Sequence, residues 1–260
     1  MRSLILCFIS LSLLSCNSKK EDLNMPGTYL MLSQTLNDGT KDTKYTSLKQ
    51  LKTYTDDFFM YTQVNPDDSV SSFGVGSYNI DSGKVVENVI YSSSDTTFND
   101  VPVSYRLEVN KTPDGYSQVI PEIVTRNQKY KLTEVYNKVG TDVKSPLDGV
   151  WKETKSYVIK GSDSVLNNRI QYKSFANGYF MFGQMVKDST SKSRTGIGFG
   201  TFVMNGDNQA KETDLNSTYS IIAGNTFTVD LVMDGPDKYY QMINNANGTK
   251  GLEYYERLKK

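Results

Sequence analysis

Histidine is missing from this 260-residue chain. That absence removes Ser-His-Asp triads, histidine-containing zinc sites and imidazole proton shuttles from its chemistry. Any catalysis would rest on carboxylates, tyrosine or lysine, and the expectation is a non-enzymatic protein without cofactor or metal. Cysteine is almost missing: Cys7 and Cys16 are the two that occur. Cys7 lies in an N-terminal apolar run, so a chain processed ahead of Cys16 keeps one cysteine and forms no internal disulfide in any compartment. Neither sign of charge predominates, since 29 Lys and Arg balance 29 Asp and Glu. A concentrated basic field is therefore lacking, and nucleic acid is excluded as a partner. Regular calcium-loop spacing is lacking too, which leaves Asp67-Asp68 and Asp95 as turn residues. Gly196-Ile197-Gly198-Phe199-Gly200 stands in a strand context and signals bending or close packing rather than a phosphate cradle.

The one long apolar run, Leu4 to Leu14, follows the positive Arg2 and is too short to span a bilayer. It ends in Leu13-Leu14-Ser15-Cys16, which resembles the lipobox of bacterial lipoproteins. The resemblance implies a signal peptide over residues 1–15, cleavage before Cys16, and acylation of Cys16 with palmitate-type chains. Each buried methylene of such an anchor contributes roughly 0.8 kcal/mol, so two or three chains hold the protein to a membrane. Residues 16–23 form a polar tether. Asn17 after the cysteine, and Lys19-Lys20-Glu21-Asp22 beyond it, resemble the sorting signals of Gram-negative outer-membrane lipoproteins exposed at the cell surface.

Beyond the tether the chain repeats. Phe58-Phe59-Met60-Tyr61-Thr62-Gln63-Val64 returns as Tyr179-Phe180-Met181-Phe182-Gly183-Gln184-Met185, at 179 − 58 = 121 residues. Gly27-Thr28-Tyr29 returns as Gly149-Val150-Trp151, and Gly76-Ser77-Tyr78 as Gly200-Thr201-Phe202. The segment from Glu134 to Val139 matches that from Glu253 to Leu258. Four motifs in one order in both halves indicate two copies of one domain, 24–138 and 147–260, each large enough to bury its own core. Val139 to Pro146 reads as a short linker.

β-branched and aromatic runs separated by turn signals such as Asp81-Ser82-Gly83 and Asn177-Gly178 predict many short strands in each copy. Ser47 to Tyr54 and Pro236 to Ala246 read as the few short helices, the latter with proline in its first turn. The fold class is all-β, either closed antiparallel barrels or sandwiches.

Gly149-Val150-Trp151 opening a β-domain, with Arg257 just beyond its last strand, resembles the signature of the lipocalin (calycin) family. The first copy carries Tyr29 and Lys138 at those places. The resemblance covers nearly the whole chain after the tether, twice, and implies two tandem lipocalin-like antiparallel barrels. It also implies a structural role for Tyr29, Lys138, Trp151 and Arg257, with the guanidinium lying over the indole. A small apolar or amphipathic molecule is then the expected ligand. The alternative is a pair of solid barrels whose exposed aromatics recognise a glycan or a protein.

Gln63 and Gln184 interrupt apolar aromatic strands at equivalent places. They serve either as polar anchors in a ligand cavity or as outward-facing or structurally bonded strand residues. Met60, Met181 and Met185 line a deformable pocket or fill a core. If the second barrel is hollow, the strand from Phe180 to Met185 turns its Met face or its Gln184 face to the cavity. Glu134 and Glu253, and Glu87 and Glu212, are matched carboxylates; because each pair spans the two copies, structural or solvated roles are expected rather than a shared catalytic cleft.

Overall fold

The computed structural model describes residues 23–66, 70–94, 103–125, 127–187, 193–245 and 247–260. The expected signal peptide, Cys16, the tether up to residue 22, Asp67, Asp68 and Asp95 lie outside the described residues. The first half consists of β1 (Gly27–Asn37), β2 (Asp42–Tyr45), β3 (Lys49–Tyr54), β4 (Phe58–Asn65), β5 (Val70–Asp81), β6 (Lys84–Ser92), β7 (Val103–Thr112), β8 (Gly115–Thr125) and β9 (Gln128–Val139). The second half repeats it with β10 (Gly149–Lys160), β11 (Asp163–Leu166), β12 (Arg169–Ala176), β13 (Tyr179–Lys187), β14 (Ser193–Met204), β15 (Gln209–Ser217), β16 (Thr226–Met233), β17 (Lys238–Asn244) and β18 (Lys250–Arg257).

Each half is an antiparallel meander in which the first strand also pairs with the last, β1 with β9 and β10 with β18. β2 and β3 lie end to end along one edge of β1, as β11 and β12 do along β10. The result is two closed eight-stranded antiparallel barrels, and closure leaves no long unpaired edge. Bulges fall at matching places, between Met31 and Ser33 and between Glu153 and Lys155. A second matched pair lies between Val75 and Gly76 and between Phe199 and Gly200. Two-residue hairpin turns use Ser82-Gly83 (φ 52° and 75°) and Asn177-Gly178 (φ 54° and 76°), the positive dihedrals that suit strand twist.

In the two segments expected to be helical, Lys49–Tyr54 and Lys238–Asn244 are strands, and Ala246 lies outside the described residues. Both faces of β3 are covered, which gives a nearly continuous buried run instead of the alternation that marks a strand. Pro236 sits in the turn after Gly235 (φ 75°), where the Asp234 amide donates to the Lys238 carbonyl over 2.9 Å and opens the hairpin into β17. No helix occurs among the described residues.

Both interiors are built around aromatic rings at equivalent positions: Tyr29, Phe59, Tyr116 and Tyr136 in the first barrel, and Trp151, Phe180, Tyr239 and Tyr255 in the second. Tyr116 stacks on Tyr136 at 4.9 Å, and Tyr239 on Tyr255 at 4.8 Å. Glycines make room for inward rings. A Cβ at Gly74 would meet the Tyr61 ring at 2.5 Å, and one at Gly198 would meet Phe182 at 2.4 Å, so close packing accounts for Gly198, whereas Gly200 sits at the bulge of β14.

A third core lies between the barrels. Leu51, Phe58, Met60, Phe73, Val75 and Tyr91 meet Val150, Tyr172, Met181, Ile197 and Phe199 there. The outer faces of β4 and β5 thus oppose those of β13 and β14, their own repeats. Equivalent surfaces meeting each other is the arrangement of a two-fold dimer interface, here within one chain. Polar bonds at its margins join the barrels as well: the Thr28 hydroxyl donates to the Ala176 carbonyl over 3.2 Å, the Ser71 hydroxyl to the Thr195 carbonyl over 3.0 Å, Tyr91 to the Met185 sulfur over 3.4 Å, and Lys260 pairs with Asp57 at 2.9 Å.

Candidate functional site

The strand period of two sends alternate residues into each barrel, and several of those residues are charged. In the first barrel Lys52 pairs with Glu87 at 2.7 Å and donates to Gln118 over 3.4 Å. Gln118 in turn donates to Glu134 over 2.6 Å, and Glu134 also accepts from the Tyr136 hydroxyl over 3.0 Å. The second barrel repeats the chain residue for residue. Lys173 pairs with Glu212 at 2.6 Å and donates to Gln241 over 3.2 Å. Gln241 donates to Glu253 over 2.7 Å, and the Tyr255 hydroxyl donates to Glu253 over 2.6 Å. All these charged groups are buried, a situation tolerated only with near-complete pairing. The matched glutamates therefore point inward and are paired, not solvated. The pairing that counts lies within each barrel, Glu87 near Glu134 and Glu212 near Glu253.

The two interiors differ at one end. Met31, Leu48, Val89, Ile120 and Leu132 form an apolar plug in the first barrel. Matching positions of the second barrel carry Glu153, Asp214, Ile243 and Gly251 by ladder register, and Arg169, four residues before Lys173 as Leu48 is before Lys52. Arg169 bridges Glu153 at 2.5 Å and Glu253 at 2.6 Å. Burial pushes the Glu253 carboxyl up, but Arg169, Tyr255 and Lys173 outweigh it and hold its pKa below the ordinary value. Glu153, also buried, is raised despite Arg169.

Losing the plug leaves a cavity of about 240 Å³ in the second barrel. Its apolar wall includes Phe182, Ile222, Phe227 and Ile243, and its polar wall Lys173, Gln184, Glu212 and Asp214. The segment 218–225 folds over the mouth. It is tied down by the Gly224 amide donating to the Asp214 carbonyl over 2.8 Å and the Asp214 amide donating to Asn225 over 2.9 Å. That brings the Tyr219 hydroxyl into hydrogen-bond contact with the Gln184 side-chain amide.

Two buried acceptors at this cavity have no hydrogen-bond partner, Gln184 Oε1 and Asp214 Oδ1. Asp214 is 2 % exposed. Burial, reinforced by the neighbouring Glu212 charge, raises its pKa to about 7, with the Asn216 amide and Lys173 offsetting part of the rise.

Among the residues singled out from sequence, Gln63 and Gln184 both fall on interior-facing positions, on the same strand face as Phe59 and Tyr61 and as Phe180 and Phe182. Gln184 lines the cavity. Met60 and Met181 lie in the core between the barrels, and Met185 joins them there through its contact with Tyr91. Odd and even positions of β4 and β13 face different cores, so the methionines and glutamines are not brought together, and it is the Gln184 face that meets the cavity. Trp151 is fully buried, with the Arg257 guanidinium 4.1 Å from its ring centroid. Tyr29 and Lys138 stand opposite each other in the matching register. Arg169, Asp214 and Gly251 went unnoticed in the sequence. Aligning the two copies position by position and asking where apolar residues become charged or small would have found them.

No family model matches the chain, and no curated protein matches it. Among solved structures it is similar to isotype 1 transferrin binding protein B from serogroup B Neisseria meningitidis, at 11% identity and a TM-score of 0.22 over 89% of this chain. The chain spans 64% of that protein's length.

Proposed function

We propose that this chain is an acylated cell-envelope lipoprotein with two lipocalin-like barrels, and that its second barrel binds a small amphipathic molecule. The observation that carries this reading is the cavity of about 240 Å³ with two unpartnered buried acceptors, sited where the first barrel has an apolar plug. The volume lies below the roughly 300 to 1,000 Å³ of pockets for drug-sized molecules, so the ligand is smaller than those. Binding rather than catalysis suits a chain with no histidine. The first barrel is the packed partner that braces the second through the shared core.

The test is a titration of 2-phenylethanol, followed by protein NMR. Shifts are expected at the second barrel, and Gly251→Leu should abolish them, because Leu132 holds that position in the first barrel. A Cβ at Gly251 meets nothing closer than Ile243 at 4.0 Å, so the variant should fold. Absence of binding by the folded wild-type protein would overturn the cavity reading.

The anchoring part of the proposal rests on the order of Arg2, the apolar run, Ser15 and Cys16. Mass spectrometry of the native N-terminus should find acyl chains on Cys16, and protease added to intact cells should remove the protein from the outer membrane. A mature form starting at another residue contradicts acylation. Full protection, with the protein in the inner membrane, contradicts surface display.

One further observation favours the alternative of glycan recognition. Tyr240 and Tyr254, 5.5 Å apart, line an outer groove of the second barrel together with Tyr157. The first barrel has Ser117, Val135 and Thr35 at these places. Loss of oligosaccharide binding in Tyr240→Ala, with the cavity variant Gly251→Leu unaffected, would move the function to that face.

A further inference from the structure

The charges around the second cavity do not balance. Arg169 is committed to Glu153 and Glu253, and Lys173 to Glu212. Asp214 has no ion pair among the described residues, and its Oδ1 has no hydrogen bond. The acids Glu153, Glu212, Glu253 and Asp214 thus face two cations. Gln184 Oε1, the other unpartnered atom, is likewise an acceptor. Both vacancies therefore ask for a donor, and the surplus charge asks for a positive one. Around them the wall is aromatic and aliphatic, with Phe182, Phe227 and Ile222 available to cover an apolar body or to face a cation with a ring.

We propose that the ligand of the second barrel is a small organic amine whose ammonium group donates to Asp214 and Gln184 while its apolar body packs against Phe182 and Phe227. This rests on the cavity reading above and gives it a chemical class. The first barrel supplies a contrast within the molecule: it has Val89 in place of Asp214 and Leu48 in place of Arg169, and both are packed in its apolar core. A buried acid without an ion pair in one copy, where the other copy keeps valine, is costly unless a ligand completes it.

The site should respond to pH. Asp214 is ionised above about 7 in the empty barrel and protonated below it. The titratable and charged groups that share the cavity with it are Glu212 beside it on β15, Arg169 and Lys173 from β12, Glu253 and Tyr255 from β18, and Tyr219 from the mouth segment, with Glu153 of β10 paired to Arg169. An ammonium ligand binds the ionised form, so its affinity should fall as pH falls. A neutral ligand gains nothing from that charge.

Phenethylamine and 2-phenylethanol, alike in size and differing in charge, separate the possibilities by calorimetric titration of the full chain. At pH 8 the amine should bind at least about tenfold more tightly than the alcohol. That advantage should disappear at pH 5 and in Asp214→Asn, with alcohol binding unchanged in both. Gly251→Leu should abolish binding of both probes while the circular dichroism spectrum stays that of the wild type. Equal affinity for the two probes, indifferent to Asp214→Asn, overturns the amine assignment and leaves the cavity reading standing. Failure of both probes to bind at about 10 mM overturns both readings.

Discussion

Arg257 lies over Trp151, its guanidinium carbon 4.1 Å from the ring centroid, and also bonds the main-chain carbonyls of Pro146, Asp148 and Pro236. Gly149 makes this possible: a Cβ there would fall 2.1 Å from a guanidinium nitrogen. The indole N–H donates to the Leu147 carbonyl over 2.7 Å, as the Tyr29 hydroxyl does to Met25 over 2.9 Å in the first barrel. This corner fastens the entry of the chain to its last strand and closes the barrel. Trp151→Ala should cost about 3 to 5 kcal/mol in chemical denaturation. Arg257→Met should cost less, about 1 to 2 kcal/mol, through the lost cation–π contact and carbonyl bonds. As the single tryptophan, Trp151 should emit as a buried indole, so a red-shifted, freely quenched emission from the folded protein would contradict the arrangement.

Lys52 and Glu87, the counterparts of Lys173 and Glu212, form a buried ion pair in the more tightly packed first barrel. Removing one charge strands the other among Tyr54, Tyr116 and Tyr136, and Lys52→Met should cost about 3 to 5 kcal/mol. Removing both, in Lys52→Met with Glu87→Leu, should recover most of that loss, because desolvation of the pair consumes much of its attraction. A denaturant series on the two single variants and the double variant measures the coupling. A double variant as unstable as Lys52→Met alone would show that packing, not charge, dominates there.

The fold was legible because its signals are local. Turn pairs such as Asn177-Gly178 and β-branched runs mark strands directly, and the repeat of Gly27 to Tyr29 by Gly149 to Trp151 doubles the signal. β3 and β17 were not legible as strands. A strand buried on both faces loses its alternation, and a proline beside a glycine fits a helix start and a hairpin turn equally well. The glutamines were recognisable as unusual, but their direction was not, since Gln184 and Met181 differ in parity and so face different cores. The site itself lay in a difference between copies: Leu132 against Gly251, and Val89 against Asp214, stand out only once the ladders are aligned. Similarity between the halves revealed the fold, whereas the chemistry resides where they diverge.

Asp214 should make stability depend on pH in a defined direction. Its pKa rises from an ordinary 3.8 to about 7 on folding, so the native state holds the proton more tightly than the unfolded state. Its stabilising contribution is therefore complete below about 3.8 and is lost as pH rises through about 7. Asp214→Asn removes this dependence. The variant should be more stable than the wild type at pH 8, by about 1 to 2 kcal/mol given solvent access at the mouth, and nearly equal to it at pH 4. Melting curves at the two pH values decide the matter, and a variant that loses stability at pH 8 contradicts a buried, unpaired carboxylate.

Gly183 offers the last test, because it separates the core between the barrels from the cavity within one. It lies between Phe182 and Gln184, two residues that face the cavity, yet it points the other way. A Cβ at Gly183 would fall 2.2 Å from Cγ and 2.7 Å from Cβ of Phe73. Those atoms sit at the root of the side chain, where the ring cannot swing clear, so the two barrels must move apart to admit a larger residue. Gly183→Leu should therefore destabilise the protein by roughly 1 to 3 kcal/mol through overpacking. It should also loosen the coupling between barrels, so that calorimetry resolves two transitions where the wild type unfolds more cooperatively. Binding of 2-phenylethanol should survive at temperatures where the second barrel stays folded. If Gly183→Leu instead abolished binding without loss of stability, residue 183 would front the cavity, and the assignment of the methionine face to the inter-barrel core would fail.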